Sequence, residues 1–239
     1  MVKKATIILV AAGSGLRFGA PLPKQFCLLN GVPVIVHCIR NLRATLHPDS
    51  WIIVVLNKDY FELWRNIASQ YKFQREDFIV AGGDCRAESV ANALEIIDST
   101  FPEIIMVHDA VRPFVNSEII SRLFKALENK NSYALPVVPV TDSLREVDDK
   151  RLSFAVNRNR FRAVQTPQAF HLNTLKRAYS IAREDYRFSD FTDDASVVER
   201  CLPENECILT EGSPYNLKIT NPLDLKIAEV ILNAQSQES

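Results

Sequence analysis

The sequence lacks an excess of charge of one sign. Its 239 residues include 28 Lys and Arg against 29 Asp and Glu, which gives a formal net charge of -1 at pH 7. Because a net basic surface drives binding to nucleic acid and to anionic membranes, we expect neither to be a partner. Any phosphate-binding site must therefore be built from a few cations that the fold brings together.

Long apolar runs and regular cysteine spacings are also missing. No run reaches the length of a transmembrane helix, and the apolar stretch after Met1 to Lys4 ends too quickly in glycine to be expected as a signal peptide. The five cysteines have no CxxC spacing and the four histidines are scattered, so neither a disulfide framework nor a zinc site is predicted. These absences indicate a reduced cytoplasmic globular protein.

A glycine-rich segment directly follows the first apolar run of the chain. Gly13, Gly15 and Gly19 would let the backbone turn sharply and bring N–H groups against a phosphate, and Arg17 and Lys24 add positive charge. A buried strand that ends in glycine places this loop at the carboxyl edge of an α/β sheet, where ligands bind. The segment is a candidate triphosphate site, although its spacing is neither that of a P-loop nor that of a dinucleotide fingerprint.

Apolar runs of strand length alternate with segments of helical periodicity. We expect strands at residues 5–10, 51–56, 78–81, 104–107, 134–140, 207–210 and 217–220. We expect helices at residues 32–42, 60–71, 86–97, 117–129, 172–182, 195–201 and 222–232. The alternation in the first half predicts a doubly wound α/β sheet.

The pattern changes between residues 141 and 165, where charged and apolar residues interleave around a turn-like Asp148-Asp149-Lys150. This pattern predicts a β-hairpin that projects as an arm. A polar two-stranded ribbon is marginal by itself, so we expect the arm to lie against a second copy of the chain. Since no linker or repeat is evident, the sequence predicts a single domain, residues 1–239, with this arm.

Charged residues also follow the strand predicted at residues 104–107, namely His108, Asp109 and Arg112. Attack on the α-phosphorus of a nucleoside triphosphate needs positive charge at the phosphates, a carboxylate for a divalent cation and a positioned nucleophile. Arg17 and Lys24 would supply the charge, and Asp109 would ligate the cation. A phosphate monoester nucleophile is mostly dianionic at neutral pH, so no general base is required.

Each of these residues also fits an ordinary structural role. Arg17 and Lys24 could be exposed loop charges, and Asp109 and Arg112 could form a local ion pair. Arg86 could be solvated. Their shared location at predicted strand ends is what favours a common site.

Short motifs then stand in a fixed order along the chain. They are the glycine-rich segment with Arg17 and Pro23-Lys24-Gln25, Gly82-Gly83-Asp84 with Arg86-x-x-Ser89-Val90, His108-Asp109-Ala110-Val111-Arg112-Pro113, Gln165-Thr166-Pro167-Gln168, Thr192-Asp193-Asp194-Ala195-Ser196 and Asn216-Leu217-Lys218-Ile219-Thr220. Together they resemble the 2-C-methyl-D-erythritol 4-phosphate cytidylyltransferase family of isoprenoid precursor synthesis, over nearly the whole chain.

The resemblance implies a mostly parallel nucleotidyltransferase fold of the glycosyltransferase-A kind and a homodimer formed through the arm. The implied reaction joins CTP to methylerythritol 4-phosphate with Mg²⁺ and releases pyrophosphate. It assigns transition-state stabilisation to Arg17 and Lys24, the cation to Asp109, the cytosine pocket to Ala11, Ala12, Gly83, Asp84 and Ser89, and the surroundings of the ribose to Gly13 and Ala110. It assigns the sugar phosphate to Arg158 and Lys218, helped by Arg112, Thr141 and Thr166. Because Arg158 and Thr141 lie in the arm, a partner subunit would complete each site.

Other readings stay open from the sequence. Ribitol 5-phosphate cytidylyltransferases resemble the chain in several of the same motifs, and Asn157 stands before Arg158 where many methylerythritol phosphate relatives carry Asp. A non-catalytic nucleotide-binding protein would be expected to have lost Arg17, Lys24 or Asp109, which are all present. A NAD-dependent oxidoreductase is disfavoured by the glycine spacing.

Overall fold

Strands and helices alternate along the protein, whose structure is a computed structural model that describes residues 3–13, 22–73, 78–148 and 152–237. The strands are β1 (Thr6–Val10), β2 (Leu28–Leu29), β3 (Val32–Pro33), β4 (Trp51–Leu56), β5 (Phe78–Ala81), β6 (Ile104–Asp109), β7 (Ser132–Pro139), β8 (Leu144–Val147), β9 (Ser153–Val156), β10 (Arg162–Val164), β11 (Gln168–His171) and β12 (Glu206–Glu211). The helices are α1 (Val34–Thr45), α2 (Phe61–Gln70), α3 (Arg86–Glu95), α4 (Ser117–Ala126), α5 (Leu172–Asp185), α6 (Asp194–Cys201) and α7 (Pro222–Gln237).

An eight-stranded sheet forms the centre of the described chain, in the order β10-β7-β11-β6-β1-β4-β5, with β12 beside β7. β6, β1, β4 and β5 are parallel to one another, and β12 is parallel to β7. β10 pairs antiparallel with β7, and β11 pairs antiparallel with β6 and β7. The mostly parallel α/β sheet predicted from the sequence is thereby confirmed. None of the helices in these ranges is long and apolar enough to cross a bilayer.

Both faces of the sheet are covered, because the central strands are apolar on both sides. Ile7 and Leu9 of β1 belong to one buried cluster, which includes side chains of α1, α2 and α4. Ile8 belongs to a second buried cluster, which includes side chains of α3, α5 and α6. The alternation follows from the two-residue period of a strand, and it holds the sheet between two helical layers.

The register of the parallel strands brings the expected loops to one edge. Val10 lies opposite Val55 of β4 and Asp109 of β6, and Leu56 lies opposite Ala81 of β5. The chain therefore leaves β1, β4, β5 and β6 side by side. This edge carries Ala11-Ala12-Gly13, which is the described start of the glycine-rich segment, together with Gly82-Gly83-Asp84 and the turn after Asp109.

The predicted hairpin is present as β8 and β9, which form a separate two-stranded sheet with Leu144 opposite Val156 and Val147 opposite Ser153. We refer to residues 144–156 as the arm. It is shorter than the predicted range of 141–165, because β10 joins the main sheet against β7. Residues 149–151 of its turn lie outside the described residues.

Two other predictions were wrong. The run at residues 217–220 is not a strand, since Ile219 makes one backbone hydrogen bond to Val111 (2.9 Å) without a ladder. The first helix begins at Val34 and not at residue 32, because Val32 and Pro33 form β3 and the ψ of 139° at Pro33 is not helical.

Candidate active site

A cavity of about 560 Å³ opens at the carboxyl edge of the sheet. It is lined by Val10, Ala11, Ala12, Gly13, Lys24, Gln25, Asn57, Gly83, Asp84, Cys85, Arg86, Ser89, Asp109, Val111 and Lys218. Nine of the residues singled out in the sequence are among them: Ala11, Ala12, Gly13, Lys24, Gly83, Asp84, Ser89, Asp109 and Lys218. Arg17 lies outside the described residues.

The start of the glycine-rich segment is fixed by Gln25. Its buried side-chain amide donates to the carbonyl of Ala11 at 2.6 Å and to that of Gly13 at 3.3 Å. The N–H of Ala11 donates to Val55 O at 2.8 Å, so the chain itself satisfies both backbone polar groups of Ala11. A 3₁₀ turn at Lys24–Phe26 sets Lys24 and Gln25 at the cavity. The sequence motif Pro23-Lys24-Gln25 thus combines a cation at the cavity with a side chain that holds the backbone of residues 11–13.

The Gly82-Gly83 loop forms a second wall. A Cβ on Gly82 would come within 2.3 Å of the Ala12 Cβ, so only glycine allows the two loops to lie this close. The N–H of Gly83 donates to the Ser89 hydroxyl at 3.1 Å, and that hydroxyl donates to Cys85 O at 2.9 Å. Ser89 therefore fastens the loop to the first turn of α3.

Asp109 is a nearly buried carboxylate surrounded by cations. Lys218 Nζ lies 2.8 Å and Arg112 Nε 3.7 Å from its Oδ2, and Arg86 Nε lies 3.4 Å from its Oδ1. Burial alone would raise the pKa of Asp109, but Arg86, Lys218 and Arg112 outweigh it and hold the pKa well below its usual range. The carboxylate is therefore ionised at neutral pH.

The backbone of Asp109 is held by a buried pair, Thr166 and His108. The Asp109 N–H donates to the Thr166 hydroxyl at 3.1 Å, so that hydroxyl donates its own proton to His108 Nδ1 at 3.0 Å. His108 Nε2 then donates to Arg112 O at 3.1 Å. Burial lowers the pKa of His108 to about 4, which keeps the ring neutral and preserves this arrangement.

A further set of hydrogen bonds holds the segment around Lys218 at the cavity. Arg112 Nη1 donates to Asn216 O at 2.8 Å, and Asn216 Nδ2 donates to Thr166 O at 2.9 Å. Gln165 Nε2 also donates to Ser213 O at 2.8 Å. Arg112 and Thr166 do not line the cavity; they anchor the segment that bears Lys218.

The structure does not bring the remaining predicted residues to the cavity wall of this chain. Arg158 donates to the carbonyl of Thr141, and both residues are exposed beside the arm. Ala110 is fully buried, and its N–H donates to Val10 O at 3.0 Å. It lies directly after Asp109 without contributing to the lining.

Sequence reasoning missed one charged residue of the cavity, Arg86. The sequence alone assigned it no role in the site and gave a solvated side chain as the ordinary alternative, whereas the side chain pairs with Asp109 and, at 2.6 Å, with the fully buried Asp194. Burial by itself would lower the pKa of Arg86, but Asp194 and Asp109 raise it overall. The sequence signals were its place in the first turn of a helix that follows Gly82-Gly83-Asp84 and its presence in the motif Arg86-x-x-Ser89-Val90.

The donor set at the cavity suits a cation that arrives with a phosphate ligand. Within the described ranges, no three His, Cys, Asp or Glu side chains are grouped as a metal site. The cavity does offer the carboxylate oxygens of Asp109 and Asp84. Mg²⁺ is commonly held by one or two carboxylates together with substrate phosphates, so these residues fit that ion.

Comparisons with known proteins agree with this geometry. The family model for IspD, 2-C-methyl-D-erythritol 4-phosphate cytidylyltransferase, matches residues 5–234. A protein of that name from Bacteroides thetaiotaomicron is 40% identical over 233 residues, which cover 96% of this chain and 100% of the relative. One from Syntrophus aciditrophicus is 39% identical over 236 residues, which cover 98% of each.

Solved structures show the same relationship. A 4-diphosphocytidyl-2C-methyl-D-erythritol synthase from Anaerococcus prevotii superimposes with a TM-score of 0.81 at 26% identity, over 97% of this chain and 96% of that one. The 2-C-methyl-D-erythritol 4-phosphate cytidylyltransferase from Thermus thermophilus gives a TM-score of 0.75 at 27% identity, over 97% and 100%. With its fold, its cavity and these matches, the chain belongs to the 2-C-methyl-D-erythritol 4-phosphate cytidylyltransferase family.

Proposed function

We propose that the protein transfers CMP from CTP to 2-C-methyl-D-erythritol 4-phosphate, which gives 4-diphosphocytidyl-2-C-methyl-D-erythritol and pyrophosphate in the non-mevalonate isoprenoid pathway. The observation that carries the proposal is a single cavity edge that combines two backbone loops, Lys24, Lys218 and the ionised Asp109. Membership of the family supports the same reaction. We expect the protein to act in the cytoplasm.

The nucleotide binds in the cavity against the wall that is formed by residues 11–13 and the Gly82-Gly83 loop. Ala11, Ala12, Gly83, Asp84 and Ser89 surround the cytosine, and Gly13 and Ala110 lie near the ribose. The support for this placement is that Ala11, Ala12, Gly13, Gly83, Asp84 and Ser89 all line the cavity. The close contact between Gly82 and Ala12 holds the two loops together as one wall.

Lys24 and Arg17 stabilise the charge that develops on the α-phosphoryl group. Lys24 lines the cavity beside Gly13, and fixed cations aimed at developing charge lower the barrier without reorganisation. Asp109 would hold Mg²⁺, which when bound screens the phosphate charge and orients the triphosphate. The acceptor phosphate, with a second pKa near 6, attacks as a dianion and needs no general base.

Lys218 positions the acceptor phosphate, and Arg112 and Thr166 act through it. The Lys218 side chain is 40% exposed, whereas Arg112 and Thr166 are buried and bonded to the segment that bears the lysine. Arg158 and Thr141 complete the acceptor site of a partner subunit.

The protein is a single-domain homodimer held by the arm. Three apolar side chains of the arm, Val147, Leu152 and Phe154, are 63%, 56% and 58% exposed, and such exposed apolar surface is typical of an interaction site. A second copy would cover them and bring Arg158 to the neighbouring cavity.

Product analysis tests the reaction. Purified protein is incubated with Mg²⁺, methylerythritol 4-phosphate and one of CTP, UTP or ATP, and pyrophosphate and the nucleotide product are identified by mass. We expect CTP to give the diphosphocytidyl product with at least tenfold preference over UTP, since a wrong exocyclic group leaves a buried polar group unpaired. No product with any nucleotide would contradict the proposal.

A further inference from the structure

Three side chains, two of them buried and one partly buried, form a continuous chain of hydrogen bonds that ends at Asp109. Tyr179 of α5 donates its hydroxyl to Asp194 Oδ1 at 2.7 Å. Arg86 of α3 donates from Nη1 to Asp194 Oδ2 at 2.6 Å and from Nε to Asp109 Oδ1 at 3.4 Å. The cavity carboxylate is therefore linked to three helices that pack on one face of the sheet.

Asp194 is the fixed point of this chain. It is fully buried, it is the first residue of α6, and each of its two oxygens receives one donor. The unpaired N–H groups of a helix N-terminus favour a carboxylate there. The next residue of α6 is held too, because Ala195 N–H donates to Gln168 Oε1 at 3.0 Å. Asp194 is therefore held both through its own carboxylate and through the backbone of the next residue.

The charge of Arg86 is shared unequally between two carboxylates. Its contact with Asp194 is 0.8 Å shorter than its contact with Asp109, by the difference of 3.4 Å and 2.6 Å. Without the charge of Asp194, Asp109 would be the only carboxylate paired with the guanidinium among the described residues. Its Nη2 atom is buried and has no hydrogen-bond partner among the described residues. An unpaired buried donor costs stability, so the cluster is not arranged for folding alone.

We propose that Arg86, Asp194 and Tyr179 are positioning residues, which orient the Asp109 carboxylate at the cavity and keep the positive charge of Arg86 partly withdrawn from it. Asp109 thereby retains enough negative charge to receive a divalent cation together with the nucleotide. Tyr179 acts through Asp194, and Asp194 acts through Arg86. The inference rests on the proposed function and adds to it the three residues that set the state of its carboxylate.

The first test is Asp194→Asn, which keeps the shape of the side chain and removes its charge. We expect kcat for pyrophosphate release to fall about 10-fold to 100-fold, the usual effect of removing a partner behind a metal ligand. We expect Mn²⁺ binding in the presence of CTP, followed by water-proton relaxation, to weaken by a similar factor. The affinity for CTP without a divalent cation changes less than twofold.

Tyr179→Phe is the second variant, because it removes one hydroxyl and leaves both charges in place. Its effects on kcat and on Mn²⁺ affinity have the same direction and are smaller than those of Asp194→Asn. The matched control is Tyr133→Phe, since Tyr133 is also buried but stacks on Phe170, 5.9 Å away, and its hydroxyl faces Cys207. This control keeps wild-type kcat and Mn²⁺ affinity.

The outcomes separate the positioning role from a purely structural one. Kinetics and Mn²⁺ affinity within twofold of wild type in both variants would overturn the proposal, as would a wild-type complex that binds no Mn²⁺. If Asp194→Asn does not fold, Tyr179→Phe decides by the same two readouts. A wild-type protein that binds Mn²⁺ with CTP but releases no pyrophosphate would contradict the proposed function and leave the Mn²⁺ comparison to test the positioning role.

Discussion

Lys218 Nζ lies 2.8 Å from Asp109 Oδ2, so the lysine proposed for the acceptor phosphate is an ion-pair partner of the carboxylate proposed for the cation. The carboxylate of Asp109 and the phosphate of the acceptor would compete for the single ammonium group of Lys218. A cation on Asp109 would therefore free Lys218 for the acceptor. The segment that bears Lys218 is anchored by Asn216, which limits the lysine to the cavity edge.

Lys218→Ala is expected to lower kcat/KM for the acceptor about 10-fold to 100-fold, because a charge-assisted hydrogen bond contributes about 1.5–3 kcal/mol. The KM for CTP changes much less. Initial rates over both substrates measure the two effects, with Lys226→Ala on the exposed side of α7 as the control. Equal effects on the two substrates would contradict a role in acceptor binding.

Lys24→Ala is expected to reduce turnover far more than CTP affinity. If the ammonium stabilises charge that appears only in the transition state, its loss costs about 2.7–4 kcal/mol of transition-state stabilisation. Single-turnover chemistry measures this directly. Lys130→Ala is the control, since Lys130 is 83% exposed and pairs only loosely with Glu103 at 3.9 Å. An unchanged single-turnover rate for Lys24→Ala would refute the assignment.

Thr166→Val is expected to impair both stability and turnover. The valine has nearly the same shape, but it leaves the buried N–H of Asp109 without its acceptor, which costs about 1–3 kcal/mol of the free energy of unfolding. Urea unfolding and kcat check the two effects. Thr166→Ser keeps the hydroxyl and should recover most of both. A valine variant with wild-type stability would show that the hydroxyl is dispensable.

His108 makes stability depend on pH. Its folded-state pKa is about 4, below the ordinary 6.5, because the ring is buried. Between these values the unfolded chain binds a proton that the folded chain does not, so stability falls as pH drops from 6.5 to 4 and is independent of this group above 6.5. The difference amounts to about 3 kcal/mol. Urea unfolding from pH 4 to 7.5 should show a shallower decline in His108→Asn; identical slopes would contradict a buried neutral ring.

Mixed dimers test whether sites are shared between subunits. Lys24→Ala and Arg158→Ala chains are each expected to be nearly inactive as homodimers. If Arg158 serves the partner's cavity, a heterodimer holds one intact site and regains up to about half of wild-type activity per dimer. Tagged heterodimers purified by two affinity steps measure this. Stable heterodimers without recovered activity would contradict a shared site, because Arg158 would then serve the cavity of its own subunit or no cavity.

Much of the fold was readable from the sequence because its signals are local. The strands at residues 51–56 and 78–81 coincide with the predicted runs, since both are apolar and end in turn residues. Residues 217–220 alternate apolar and polar side chains as a half-buried strand would, but tertiary contacts through Asn216 and Ile219 hold them as an irregular segment. Strand β11 was missed because its four residues follow Pro167 without a distinctive period.

The candidate site was only partly readable for a similar reason. Glycines and charges at strand ends predicted where Lys24, Asp109 and Lys218 meet, because parallel strands share an edge. The partners of Arg86 lie 23 and 108 residues away in the chain, and local periodicity carries no information about such pairs. The dual use of Thr166, as acceptor for Asp109 and donor to His108, likewise appears only when the strands are assembled.

The most direct measurement is pyrophosphate release from CTP and Mg²⁺ with methylerythritol 4-phosphate and ribitol 5-phosphate supplied in parallel. The structure and the family relationship predict release with methylerythritol 4-phosphate and little or none with ribitol 5-phosphate. Release with ribitol 5-phosphate alone would contradict the proposed acceptor while keeping cytidylyl transfer, and no release with either acceptor would contradict the proposed reaction itself.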